Sequence, residues 1–289
     1  MRRAALISIA AVLAAGCGPA RQAVSTTTTV AARTAPTGLA VGVVGPLSLD
    51  VAGARIEHGR LAELTGPRFV LVAANSISLE AVAAAAAAHP ATHYAFVGGS
   101  TKSSRRPNLV GLVLRDDQAA LLGGVVAGLV AEEQGGANAR VAWVGPEERK
   151  LAAAFARGVH ESLPRAAVLH GYSKRIPSRC KEAAIGAVGR GAVVVMAHGG
   201  ACAAAAADGA HQQDHVALDL SDFEVPEAAA AIVTRDAVAG VFHGGEDLVF
   251  GAASGAIGVR RLDPSIPSAT AALARTAAQE LASGLRPSG

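Results

Sequence analysis

The sequence predicts an α/β protein, doubly wound about parallel sheets. Two observations carry this. Short apolar runs recur from Leu39 to Leu220, and most are apolar at every position, as expected of strands covered by helices on both faces. Between them lie helix-like stretches of about ten to eighteen residues, so strands and helices alternate in the order that winds a parallel sheet on both sides.

In chain order the strand candidates are LAVGVVG (39–45), FVLVA (69–73), HYAFVG (93–98), LVGLVL (109–114), RVAWVG (140–145), AAVLHGY (166–172), AVVVMA (192–197) and HVALDL (215–220). The helices carry their own punctuation. Asp50 is placed to cap a helix ending near Gly66, Asp116 to cap one running to Gln134, and Pro146 to occupy the first turn of the next. AVAAAAAAHP reads as an Ala-rich helix ended by Pro90. After residue 228 the pattern changes, and AAAAIVTRDAVAGVFHGGEDLVFGAASGAIGV reads as strands joined by Gly-rich turns, followed by a last helix from about Ser265 to Ser283. In such sheets ligands sit at the carboxyl ends of the strands, which directs attention to the loops that follow them.

The amino terminus has a different character. Arg2 and Arg3 precede an uncharged run, Ala4 to Ala15, too short for a spanning helix, which needs roughly 20 apolar residues, and typical of a secretory leader. Ala14, Ala15 and Gly16 before Cys17 resemble a bacterial lipobox, although Leu13 stands four places before the cysteine where the commonest pattern has it three before. The Thr-, Ser-, Ala- and Pro-rich segment that follows is expected to form a flexible tether. Loss of the two arginines takes the net charge from +3 to +1, and aromatic residues make up only 3% of the chain, so a nucleic-acid partner is not expected.

Several ordered segments resemble the basic membrane protein family, nucleoside-binding lipoproteins that feed ABC importers. They are NLVGLVLRDDQAALLGGVVAGLVA (108–131), ARVAWVGPEERKLAAAFARGV (139–159), GAVVVMAHGGACAAAAADGA (191–210), HVALDLSDF (215–223) and FHGGEDLVFGAASGAIGV (242–259). The resemblance implies a type I periplasmic-binding-protein fold, two parallel-sheet lobes joined by crossover strands. The expected organisation is a leader over 1–16, a tether over 17–38 and a two-lobed solute-binding domain over 39–289. Its first lobe would take about 39–138 plus a C-terminal return, and its second about 139–260. Two departures stand beside the matches. The first loop reads only GPLSLDVAGARIEHG, and Leu121 stands where the family commonly has Phe. Each lost base-stacking contact removes roughly 1 to 3 kcal/mol.

On this resemblance Asp219, at the end of VALD, matches the family aspartate that accepts hydrogen bonds from a ribose; capping of the turn DLSD is the competing role. His198, Gly199 and Gly200 follow a strand, where glycines let backbone N–H groups approach a ligand, and a tight turn is the alternative. Asp116 and Asp117 open a helix at a strand end, Ser48 and Asp50 occupy the first loop, and Arg235 falls near a basic position that faces the family's ligand. These nine residues are the candidate ligand set; no metal, cofactor or catalytic residue is expected.

Cys180 and Cys202 each start a helix after a parallel strand. Right-handed crossovers make those helices neighbours, so a disulfide is expected, leaving Cys17 for lipidation. GGSTK lacks the full phosphate-loop spacing and no Gly-x-Ser-x-Gly elbow occurs, so enzyme readings have little to rest on. The expectation is a monomeric, exported, lipid-anchored binder of a nucleoside or other small polar solute serving an ABC permease. The alternative is an envelope lipoprotein with a degenerate pocket that acts through protein partners.

Overall fold

A computed structural model describes residues 38–286. The expected leader, Cys17 and all but the last residue of the expected tether lie outside the described residues. The first sheet is built from β1 (Leu39–Val44), β2 (Ala54–His58), β3 (Phe69–Ala73), β4 (His93–Val97), β5 (Leu109–Leu114) and, from late in the chain, β10 (Asp247–Phe250), in the order β10-β5-β4-β3-β1-β2. The second holds β6 (Arg140–Gly145), β7 (Ala167–Tyr172), β8 (Ala192–Ala197) and β9 (Val216–Asp219), in the order β7-β6-β8-β9. All pairings within both sheets are parallel. All eight strand runs read from the sequence are strands. FVLVA, with every residue buried, shows why: apolar side chains on both faces suit a strand only where helices cover both.

The helices are α1 (Leu79–Ala88), α2 (Asp116–Gly135), α3 (Arg149–Ser162), α4 (Pro177–Gly189), α5 (Ala201–His211), α6 (Pro226–Val238) and α7 (Ser268–Ala282). The chain crosses between the two sheets three times. It leaves β5 into α2, which packs on α3, β6 and β8; it returns at Glu224 and Val225 into α6, which packs on β1, β4 and β5; it leaves β10 for α7, which lies on α2. The second and third crossings pair with each other, Val225 N–H donating to Ala256 at 2.8 Å and Gly258 N–H to Phe223 at 3.0 Å. Gln118 Oε1 accepts the Ala252 N–H at 2.8 Å and ties the first crossing to the third. One apolar core runs through the junction, from Val41 and Leu71 in the first sheet through α2 to Trp143 and Met196 in the second.

Three expectations are corrected. The stretch 50–66 is not helical: Ala54–His58 pairs in parallel along β1, so backbone pairing at an open sheet edge overrides a weak helical pattern. Asp50 therefore caps no helix there, and it stands exposed before the turn at Gly53. The stretch after 228 is mostly α6, with Pro226 in its first turn and Ala229, Ala230, Val233 and Thr234 buried on one face; only Asp247–Phe250 of the expected strands forms. Asp116 is the first residue of α2 while Arg115 holds the cap position, and Pro146 precedes α3 rather than entering it.

Cys180 and Cys202 form a disulfide with Cα atoms 5.4 Å apart, joining α4 to α5. On the chain-entropy model a loop of this length stabilises by roughly 3 kcal/mol. Elsewhere glycine sets the spacing. A Cβ on Gly158 of α3 would lie 2.0 Å from the Leu121 carbonyl oxygen, and one on Gly124 of α2 would lie 2.1 Å from that of Phe155. Gly158→Val is therefore expected to part the two helices and lower stability by about 1–3 kcal/mol in urea unfolding. Gly186→Ala in α4, whose Cβ would meet nothing closer than 3.6 Å, should leave stability unchanged or slightly raised.

Candidate functional site

The carboxyl ends of strands in both sheets converge on one cleft of about 360 Å³. Asn75 follows β3, Asp116 follows β5, Glu148 follows β6, Arg175 follows β7, His198 follows β8, Asp219 ends β9, and Glu224 lies on the second crossing. The cleft continues into a recess of about 150 Å³ that shares Asn75 and Glu224 and adds Leu47, Leu114 and Arg260. A larger hollow of about 640 Å³ opens beside α1, but Leu61, Ile77, Ala81 and Ala85 make its walls largely apolar, and it draws no residue from the second sheet.

His198 is fixed by what surrounds it. It is 3% exposed, its ring lies 4.4 Å from that of Trp143, and Nε2 is 3.1 Å from the Pro146 carbonyl oxygen. That carbonyl can only accept, so Nε2 carries the hydrogen and Nδ1 is left as an acceptor. Burial holds the His198 pKa below its ordinary value, so the ring is neutral near pH 7. Gly145 makes room, since a Cβ there would lie 2.3 Å from the imidazole. Gly199 and Gly200 follow at φ +99 and +61, left-handed backbone that side chains resist, and Gly200 caps α5. The His-Gly-Gly stretch is thus both a tight turn and part of the cleft wall.

Asp219 caps a turn and also stands in the cleft wall. Oδ1 accepts the Ser221 N–H at 2.9 Å and caps the turn Leu220–Phe223, while the residue lines the cleft. Burial raises its pKa. Asp116 is pushed up to about 6, chiefly by burial and then by Glu148 and Asp117 nearby. Glu224 is pushed up to about 8 by burial and by Asp116 and Asp219, with Arg260 pulling the other way. The cleft is therefore rich in acceptors and in carboxyls that resist ionisation.

Five of the nine candidates, Asp116, His198, Gly199, Gly200 and Asp219, meet in this cleft. The other four lie elsewhere. The Asp117 carboxylate is engaged by Arg115, whose Nε and Nη2 donate at 2.8 and 2.7 Å. Ser48 and Asp50 are exposed, and their loop gives the recess Pro46 and Leu47 instead. Arg235 is exposed on α6, its Nε donating to the Ala231 carbonyl at 3.2 Å. Sequence reading missed Asn75, Glu148, Arg175, Glu224 and Arg260. The first three follow predicted strands by two or three residues, a positional signal that could have found them; Glu224 and Arg260 depend on where the crossings run. Among the described residues no group of three or more His, Cys, Asp or Glu is arranged to hold a metal ion, and none of the helices is long and apolar enough to cross a membrane. Among the described residues no Phe, Tyr or Trp lines the cleft or its recess.

Two parallel sheets joined by three crossings, with strand-end loops of both around one cleft, give the chain an α/β fold that it shares with solved structures of solute-binding proteins and of a transcriptional activator. No protein-family model matches the chain, and no curated protein matches it by sequence. Among solved structures it is similar to an ABC transporter solute-binding protein from Conexibacter woesei DSM 14684, at TM-score 0.57 and 18% identity over 86% of this chain and 98% of that one. It is also similar to ABC transporter solute-binding proteins from Aeropyrum pernix K1, at TM-score 0.53 and 14% identity over 86% of this chain and 92% of that one. A transcriptional activator of the comK gene from Bacillus halodurans shares the fold at TM-score 0.62 and 12% identity, over 86% and 99% of the two chains.

Proposed function

We propose that this protein is the solute-binding component of an ABC importer, exported and held at the outer face of the plasma membrane by a lipidated Cys17. The observation that carries the reading is a polar cleft walled by strand-end loops of both sheets. A ligand touching both walls stabilises the shut arrangement over the open one, and no covalent chemistry is needed. The solute is a nucleoside or another small polar molecule. Asp219 suits a vicinal diol, while the lack of aromatic lining favours a solute recognised through hydrogen-bond donors over one held by base stacking.

The test is a thermal-shift screen of the purified protein against nucleosides, sugars, amino acids and amines. A solute that binds is expected to raise the melting temperature, and Asp219→Ala to weaken it by about tenfold or more in calorimetric titration, the worth of a charge-assisted hydrogen bond. A screen in which nothing shifts the melting temperature would falsify the solute-binding reading; unchanged affinity in Asp219→Ala would remove that residue from the site. Retention of the protein in membranes that is lost in Cys17→Ser tests the anchor.

A further inference from the structure

The two arginines that line the cleft and its recess are already matched to carboxylates, Arg175 holding Glu148 at 2.9 Å and Arg260 holding Glu227 at 2.7 Å. Arg115 and Arg261, outside that lining, hold Asp117 at 2.7 Å and Asp222 at 2.9 Å. Among the described residues no lysine lines the cleft or its recess. Asp116, Asp219 and Glu224 are left over, three carboxyls without an ion-pair partner among the described residues, on the end of a β5 crossing, the end of β9 and the second crossing. The cavity marks where a ligand goes, and these three groups decide what suits it.

We propose that the cleft takes a small organic cation, an amine or guanidinium bearing several N–H or O–H donors, which supplies the positive charge that no arginine brings to these three carboxyls. This rests on the solute-binding reading above. Asp219 and Glu224 are half-buried and Asp116 stands at the exposed mouth; a half-buried carboxylate without a partner is costly, and an arriving cation with donors offsets that cost where a neutral polyol offers hydrogen bonds alone. The acids do not converge on a point that would hold a metal ion; they are distributed along a cleft of about 360 Å³, which suits a ligand whose donors are spread over several atoms. His198, neutral and presenting an acceptor nitrogen, adds no competing positive charge.

Groups facing the three carboxyls set the pH dependence. Asp116 faces Glu148 and Asp117; Asp219 faces Asp222 and Arg261; Glu224 faces Asp116, Asp219 and Arg260. A cation binds their ionised forms, so affinity should rise with pH through about 6 and about 8, with protons released on binding.

The experiment titrates the purified protein with spermidine, agmatine, L-arginine and choline, and in parallel with ribose, uridine, myo-inositol and magnesium chloride. Thermal shift and calorimetry are read at about pH 8.5 and about pH 5.5. The expected result is binding of at least one organic cation, weaker by about tenfold or more at the lower pH and in both Asp116→Asn and Glu224→Gln. Those variants remove unmatched charge and are expected to fold at least as well as the parent. Binding of a neutral solute but of none of the cations overturns the cation proposal and leaves solute binding standing. Stabilisation by magnesium alone, or cation binding indifferent to pH and to both variants, also overturns it. Failure of every solute overturns both readings.

Discussion

Trp143→Ala is expected to lower unfolding stability by about 3–5 kcal/mol, the range for deleting a large core aromatic. Trp143 is fully buried on β6, with the Phe155 ring 5.2 Å away and the His198 ring 4.4 Å away. Its truncation opens a hole where the core of the second sheet meets the floor of the cleft. Two measurements should therefore move together: the urea midpoint falls, and solute affinity weakens because His198 loses the surface that orients it. Trp143→Phe should cost much less. It keeps an aromatic ring near both Phe155 and His198 and removes an indole N–H that is buried without a hydrogen-bond partner among the described residues. Equal losses in the two variants would mean that ring packing is not what fixes His198.

The second large effect concerns pH. Glu224 titrates at about 8 and Asp116 at about 6 in the folded protein, against ordinary values of 4.5 and 3.8. Both groups bind protons more tightly folded than unfolded. Their contribution to stability is full in acid, below about pH 4, and is lost as pH rises through about 6 and then about 8. Ionising the pair therefore lowers folding stability across this window, with Glu224, the more buried of the two and the more strongly shifted, contributing the larger part. Asp117 has the opposite sign, being lowered by its hydrogen bonds to Arg115, but it acts only below the ordinary carboxylate range and leaves this window undisturbed. Unfolding free energies measured across the window should fall toward alkaline pH, and Glu224→Gln should recover much of the loss near pH 8.5 while changing little near pH 5. A flat profile in the parent protein, or identical profiles in the two, would contradict the account.

How much of this was legible in the sequence varies with how local the determining physics is. Continuous apolar runs such as FVLVA and AVVVMA announce strands covered on both faces, because nothing else needs apolar side chains at every position. ARIEH does not: at a sheet edge it is half polar, and only the unpaired side of β1 makes it a strand. IVTRD misleads through its β-branched residues, whereas Pro226 and the one-sided burial of Ala229, Ala230, Val233 and Thr234 belong to a helix. The disulfide was legible because two strand-to-helix junctions in succession leave the cysteines little choice of neighbour.

The site divides in the same way. His198 and Asp219 stand directly at strand ends and were legible there, since topology fixes what the carboxyl end of a parallel strand faces. Glu224 was not, because it sits on a crossing whose path is set by its pairing with Ala256–Gly258. Arg235 was misplaced because a helix, turned by its apolar face toward the sheet, points that side chain to solvent. The charge pattern that gives the cleft its character, two matched arginines and three unmatched carboxyls, exists only once distant segments are brought together.

The central claim is that a solute binds between the two sheets. Hydrogen exchange, followed by mass spectrometry with and without the best solute from the screen, tests it most directly. Protection is predicted in the loops holding Asn75, Asp116, Glu148, His198 to Gly200 and Asp219 to Glu224, on both sides of the cleft at once. Protection confined to the apolar hollow beside α1, or none in any of those loops at saturating solute, would contradict it.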